Sequence, residues 1–401
     1  MANTPPKYVK NILQKLEAHG FSAFLVGGCV RDIIIGRRPH DWDVTTSALP
    51  DEIMNIFPGS LPTGIKHGTV TVVSGRGRVE VTTFRSDGTY SDHRRPDNVS
   101  YISGVTGDLE RRDFTINAMA LPLSGIIVDP FRGADDLKTK TIRCVGDPER
   151  RFSEDALRMF RALRFSAQLG FDIENRTADA IYSMAHTSAL IAPERISFEL
   201  EKILMSPNPE IIGRVLRYGL LDHYLARPRV STPYRRLENL PKNKQQRWAA
   251  FCAILESRQL IESTEKLLSS LRLDNATIRN CSAGTRIALG EELPGSRLEW
   301  KRVLADYGVD TAFCAAAAAY MLTPANHMRE VKSILKSGEC FSLRRLAVNG
   351  DDLIAPGFKG AEIGDLLNAM LYHVLEYPED NEKEKLMSLF ARNDGNPIAG
   401  R

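Results

Sequence analysis

Residues 24–32 read Phe24-Leu25-Val26-Gly27-Gly28-Cys29-Val30-Arg31-Asp32, an apolar run stopped by two glycines and resumed by a segment carrying a base and then an acid. The run predicts a short buried strand over Ala23–Val26, and the segment behind the glycines predicts a helix. Glycines at such a junction serve either a turn that needs positive φ or a backbone that comes close to an anion. Working outward, an amphipathic helix precedes this strand, and β-branched runs follow at residues 69–73, 79–83 and 126–128 between Gly-rich turns. Up to about residue 145 the pattern is therefore α+β. Past Ser153 strand signals fade and apolar residues recur at threes and fours, as in Leu157, Phe160 and Leu163, so the remainder predicts helices. Breaks at Pro207 and Pro209, at Asn275 and from Pro356 to Gly360 divide it into packed pieces.

The chain has 401 residues, which favours two or three domains over one core. At 26% charged and 43% hydrophobic it is neither disordered nor fibrous. Its longest apolar run, Ala312 to Leu322, falls well short of the ~18 residues a membrane span requires. The N-terminus lacks the apolar stretch of a secretory signal. Six scattered cysteines form no CxxC pair, which fits a reduced, cytoplasmic setting and not a zinc site. The net charge of +3 is too small to identify a polyanion partner. A local cluster runs from Arg227 to Arg247, where seven Lys and Arg face the single acid Glu238. It reads as an exposed basic loop, either a solvated linker or a nucleic-acid contact.

Three further stretches carry chemistry. In His40-Asp41-Trp42-Asp43-Val44 two carboxylates stand two residues apart, and in an extended segment they share a face. Such a pair suits Mg²⁺ ions that activate a hydroxyl and stabilise departing pyrophosphate, although a polar turn has the same spelling. In the alternating run at residues 78–83, Glu80 is either a third carboxylate on that face or a strand glutamate that orients an arginine. Leu109-Glu110-Arg111-Arg112-Asp113-Phe114-Thr115-Ile116-Asn117-Ala118 offers guanidinium forks suited to phosphate oxygens. In Ser153-Glu154-Asp155-Ala156-Leu157-Arg158, Ser153 reads as a helix N-cap, with Asp155 and Arg158 on one face and Arg161 and Arg164 continuing along that side. Each stretch alone also reads as ordinary ion pairing.

Taken in order, residues 27–32, 41–43, 111–118 and 154–158, joined by Arg195-Ile196-Ser197-Phe198-Glu199-Leu200-Glu201-Lys202-Ile203-Leu204, closely resemble the successive motifs of the class II tRNA nucleotidyltransferases, the CCA-adding enzymes. The likeness is close over the first ~205 residues and looser in the tail.

The resemblance implies an α+β fold: an N-terminal nucleotidyltransferase domain with a polymerase β-like mixed sheet, followed by an all-helical neck, body and tail. The expected boundaries are 1–145 for the catalytic head, 146–210 for the neck that recognises the base, 211–275 for the body and 276–401 for a tRNA-binding tail. The implied activity is addition of CCA to the 3′ end of tRNA from CTP and ATP. An A-adding enzyme or a poly(A) polymerase of the same family is the alternative. Carried over residue by residue, Asp41 and Asp43 would hold Mg²⁺, with Glu80 as a further catalytic carboxylate. Gly28 and Arg31 would cradle the triphosphate, and Arg112, Asp155, Arg158, Arg161 and Arg164 would contact the nucleotide. An acceptor-only Asp155 beside a donor-only Arg158 matches the amino group and ring nitrogen of cytosine or adenine, whereas uracil and guanine set a carbonyl against the carboxylate. Residues 85–97 read as a mobile loop, and in the family a loop at this point accompanies use of ATP. Partners implied are tRNA, CTP and ATP, with no membrane and no obligate protein partner.

Overall fold

The computed structural model describes residues 4–74, 77–88, 98–290 and 293–390. Helix α1 (Lys7–Ala18) buries Val9, Ile12, Leu13 and Leu16, the three-and-four spacing of one helical face. It leads into strand β1 (Ala23–Val26) and helix α2 (Gly28–Ile34), as the opening stretch predicts. Strand β2 (Asp43–Thr46), helix α3 (Pro50–Ile56) and strands β3 (Leu61–Gly64), β4 (Thr69–Ser74) and β5 (Gly77–Thr83) follow. Next come β6 (Arg85–Asp87), β7 (Val99–Tyr101), helix α4 (Val105–Glu110), strand β8 (Ala120–Leu121) and helix α5 (Gly133–Lys138).

Six strands form a mixed sheet in the order β3-β4-β5-β2-β1-β8. Neighbours pair antiparallel except β2 and β5, which run parallel with Asp43 opposite Glu80. Val26, Leu109, Ala118, Ala120 and Val145 form one hydrophobic cluster of this part. The strand expected at residues 126–128 is absent. Ile126 is 77% exposed, and the segment makes only an isolated bridge from Val128 to Ala120. Its apolar letters lie on a surface loop instead of the buried face that a strand would need. Residues 89–97 of the expected mobile loop lie outside the described residues.

Helices α6 (Pro148–Glu154), α7 (Leu157–Leu169), α8 (Asn175–Met184), α9 (Pro193–Leu204) and α10 (Ile212–Tyr218) continue the chain. Ser153 is not an N-cap. The Asp147 side chain caps α6 six residues earlier, with Pro148 at the first helical position, so Ser153 falls inside that helix. The chain then breaks at Asp155, whose backbone is extended (φ −146°, ψ 104°), before α7 begins.

Contacts divide the chain into two compact units, one running to His223 with Pro228–Ser231, the other comprising Tyr224–Arg227 and residues from Thr232 onward. The second unit is helical, with α11 (Lys244–Ser257), α12 (Thr264–Ser270), α13 (Asn275–Leu289) and α14 (Arg297–Leu322) at its centre. The non-helical backbone of Gly308 (φ 80°) kinks α14, and its Ala-rich second half is buried. Among the described residues no helix is long and apolar enough to cross a membrane, and all six cysteines are free and buried.

Candidate active site

The site is built where β1 turns into α2. Gly27 takes φ 78°, a conformation closed to most side chains. A Cβ placed there would also stand 3.1 Å from Arg112 Nη1. The positive φ that one reading of the glycine pair calls for is found at Gly27, and an arginine fork lies close to the same turn. Gly28 opens α2, and Arg31 rises from its first turn. The Arg31 guanidinium donates to Asp32 Oδ1 (2.9 Å) and to Asn117 Oδ1 (2.9 Å), so these two residues orient it.

Asp43 begins β2, the parallel neighbour of β5, and register sets Glu80 directly beside it. Asp41 is exposed just ahead of the strand, and Trp42 between the two acids is buried. Burial pushes the Asp43 carboxyl up to about 6; the charges of Glu80 and Asp41 add to the rise and Arg112 opposes it. Among the described residues no three acidic, His or Cys side chains gather closely enough to hold a metal ion by themselves. Gly28, Arg31, Asp32, Asp41 and Asp43 line a cleft of about 590 Å³ together with Gln168 and Lys202 from the helical part.

Arg112 is held by buried Asp108 (3.2 Å), which also takes Arg111 (2.8 Å). Burial raises the Asp108 pKa, but the two guanidinium charges overcome it and leave the carboxyl below its ordinary value. Asp113 likewise holds Arg161, accepting from Nε at 2.7 Å. Arg161, Arg164 and Arg31 place their guanidinium carbons 5.4, 4.4 and 5.4 Å from the centroid of the Phe165 ring. The Phe165 ring, on α7, therefore packs against Arg31 of α2. Arg164 pairs with buried Glu199 at 3.1 Å. Arg112 Nε, Arg164 Nε and Glu199 Oε2 are buried without a hydrogen-bond partner among the described residues.

Asp155 and Arg158 do not stand three apart on one helical face, because the chain breaks between α6 and α7. Asp155 faces α9, where Arg195 donates to both of its oxygens (2.9 and 3.3 Å), and it also caps α7 through Leu157 N (3.1 Å). Arg158 pairs with Glu154 at 2.7 Å and donates to the Arg151 and Arg111 carbonyls. Of the counter-charges, Asp113, Glu154, Arg195 and Glu199 stood in the quoted motifs with no pairing assigned to them, and Asp108 lay outside those motifs. Their only signal was an excess of acids near each arginine, which cannot say which acid meets which arginine.

The profile of the poly A polymerase head domain matches residues 23–143, that of the RNA and SrmB-binding site of polymerase A residues 170–230, and that of tRNA nucleotidyltransferase domain 2 residues 240–390. A CCA-adding enzyme from Geobacillus sp. (strain WCH70) is 35% identical over 390 residues, covering 94% of either chain. The chain belongs to the CCA-adding enzyme family. A CCA-adding enzyme from Enterococcus faecalis is 36% identical over 94% of this chain and 93% of its own. The solved CCA-adding enzyme of Bacillus stearothermophilus, in complex with CTP, superposes with a TM-score of 0.77 at 32% identity over 96% of this chain and 98% of its own. As in that family, an α+β nucleotidyltransferase domain precedes helical regions.

Proposed function

We infer that this chain adds CCA to the 3′ end of tRNA, taking CTP and ATP and releasing pyrophosphate. The observation that carries this reading is the cleft of Asp41 and Asp43 beside the Gly27-Gly28 turn, in a chain that spans its CCA-adding relatives almost end to end. The residues fit magnesium: the donors are all carboxylate oxygens, and Asp43, raised first by burial and then by the charges of Glu80 and Asp41, is a carboxylate whose ionised form a cation would stabilise. Two carboxylates are too few for a protein-only cage, so Asp41 and Asp43 would hold the ion together with the triphosphate, the usual habit of magnesium at phosphate-transfer sites. When bound, the metal would sharpen the attacking hydroxyl and neutralise charge on the phosphates.

The chain's own residues do the rest by position. Gly28 and the oriented Arg31 receive the triphosphate, and Arg112, fixed by Asp108, adds positive charge on the opposite side of Gly27. Glu80 reinforces the negative pole at Asp43. Asp155 keeps acceptor sites for the amino group of cytosine or adenine while bound to Arg195, since a carboxylate has about four. Arg158 donates to the adjacent ring nitrogen, and Arg161 and Arg164 hold its surroundings. The roles of head (1–145), neck (146–210), body (211–275) and tRNA-binding tail (276–401), and a cytoplasmic location, belong to this proposal.

The test sizes products from tRNA ending at the discriminator base, at CC or at CCA, with Mg²⁺ and CTP, ATP or both. Growth by three nucleotides on the first, by one A on the second and none on the third is expected, and Asp41→Ala abolishes all growth. Extension of the CC end alone would make it an A-adding enzyme, and unlimited A tailing a poly(A) polymerase.

A further inference from the structure

Helix α9 turns one stripe toward the site, and its residues at spacings of three and four have different tasks. Arg195 reaches Asp155 and Glu199 reaches Arg164, so both are committed to other side chains. Lys202, one turn further, is exposed and lines the same cleft as Asp41 and Asp43. Its ammonium lies 5.0 Å from the centre of the Phe198 ring. Phe198 is 56% exposed although its helical neighbours Ile196, Glu199 and Leu200 are buried, so packing does not account for an aromatic there.

We propose that Phe198 and Lys202 form the landing place for the single-stranded 3′ end of the RNA that is being extended. The terminal base stacks on Phe198 and the phosphate behind it meets Lys202. This inference rests on the nucleotide-adding reading above and adds to it the residues that hold the acceptor strand. Single-stranded RNA is bound by this combination, an aromatic face for the base and a cation for the backbone. The incoming nucleotide is the weaker candidate. Its cradle is made of Gly28, Arg31 and Arg112 with buried or half-buried partners, whereas the growing strand must enter from solvent, where Phe198 stands. A position beside the acidic pair also brings the terminal hydroxyl of a bound strand toward Asp41 and Asp43.

The experiment uses the full chain and a tRNA ending in CC whose last base is a fluorescent cytidine analogue, titrated without nucleotide, with extension by ATP assayed in parallel. Wild-type protein should quench the analogue. Phe198→Ala should abolish the quench and raise the KM for tRNA about tenfold, the size of one lost stacking interaction. Lys202→Ala should raise it several-fold and flatten the salt dependence of binding by about 0.7 in log–log slope. In both variants the KM for ATP and the thermal midpoint should hold, and Phe198→Tyr and Lys202→Arg should restore tRNA binding. An unchanged tRNA KM, or a rise in the KM for ATP instead, would overturn the proposal while wild-type extension stands. Failure of the wild type to extend any tRNA would overturn the nucleotide-adding reading itself.

Discussion

Gly27 and Gly28 are adjacent and identical in sequence, yet they carry different constraints. Gly27 has positive φ and an arginine nitrogen 3.1 Å from where its Cβ would be, whereas a Cβ on Gly28 meets only Arg31 Nη2 at an ordinary 3.6 Å. Gly27→Ala should therefore cost ~1–3 kcal/mol in urea unfolding. Gly28→Ala should leave stability unchanged and raise the KM for CTP about tenfold, because its methyl stands where phosphate approaches. Asp113 gives a residue-scale prediction in pH. Its burial opposes ionisation, but Arg161 more than compensates and the carboxyl falls from 3.8 to about 2. The folded state thus holds this proton less tightly than the unfolded chain, so the stability it contributes is complete above pH 4 and lost as pH falls toward 2. Asp113→Asn should destabilise the protein by at least about 2 kcal/mol at pH 7, with the gap from wild type narrowing between pH 4 and pH 2 in parallel urea titrations.

At the scale of elements, the break between α6 and α7 sets the partners of Asp155 and Arg158, the pair proposed above to read the base. A continuous helix would have paired Asp155 with Arg158 and cancelled both. The extended backbone at Asp155 separates them, gives Arg158 to Glu154 and gives Asp155 to Arg195 on α9. We expect Asp155→Ala to lower the preference for CTP over UTP about 100-fold in kcat/KM, the cost of an acceptor facing an acceptor. Arg195→Ala should lower it less, because the carboxylate loses its anchor but keeps its charge. The break was legible in part: Asp147-Pro148 spells a helix start and Ser153 does not need to be one, but the spacing of Asp155, Arg158, Arg161 and Arg164 imitates one uninterrupted face. The strands at 23–26, 69–73 and 79–83 were readable because β1 is apolar throughout, β4 buries the β-branched Val70, Thr71 and Val72, and β5 alternates buried Val79, Val81 and Thr83 with exposed Arg78 and Glu80. Residues 126–128 deceived for the converse reason, since three apolar letters carry no information about whether anything covers them. Asp41 and Asp43 were visible as a pair, whereas the register that sets Glu80 beside Asp43 is a property of the folded sheet alone.

At the scale of the whole molecule, the basic stretch from Arg227 to Arg247 shows how little charge in sequence says about charge available to a polyanion. Arg247 is 2% exposed and donates to the Leu240 and Pro241 carbonyls. Arg236 lies over the Tyr320 ring at 4.1 Å and donates to the Thr323 carbonyl, and Lys244 pairs with Asp274. Within the first unit, Arg229 stacks on Tyr182 at 3.7 Å. Four of the seven, Arg227, Arg229, Arg235 and Lys242, are exposed as the loop reading expects, while Arg236, Lys244 and Arg247 brace the second unit; Arg227 donates to the Arg258 carbonyl, and Arg235 and Lys242 are the other exposed members in that unit. Two classes of variant should separate. Arg247→Ala strips the donor from two chain carbonyls and should cost ~2–3 kcal/mol of stability in urea unfolding, whatever the substrate. Arg235→Ala with Lys242→Ala should leave the thermal midpoint in place. If the second unit holds the acceptor arm through phosphates, that double variant should weaken binding of every tRNA about equally and lower the log–log salt slope by ~1–2. An unchanged slope in the double variant would move the phosphate contacts elsewhere on the helical units, and filter binding from 50 to 200 mM salt is sufficient to decide it.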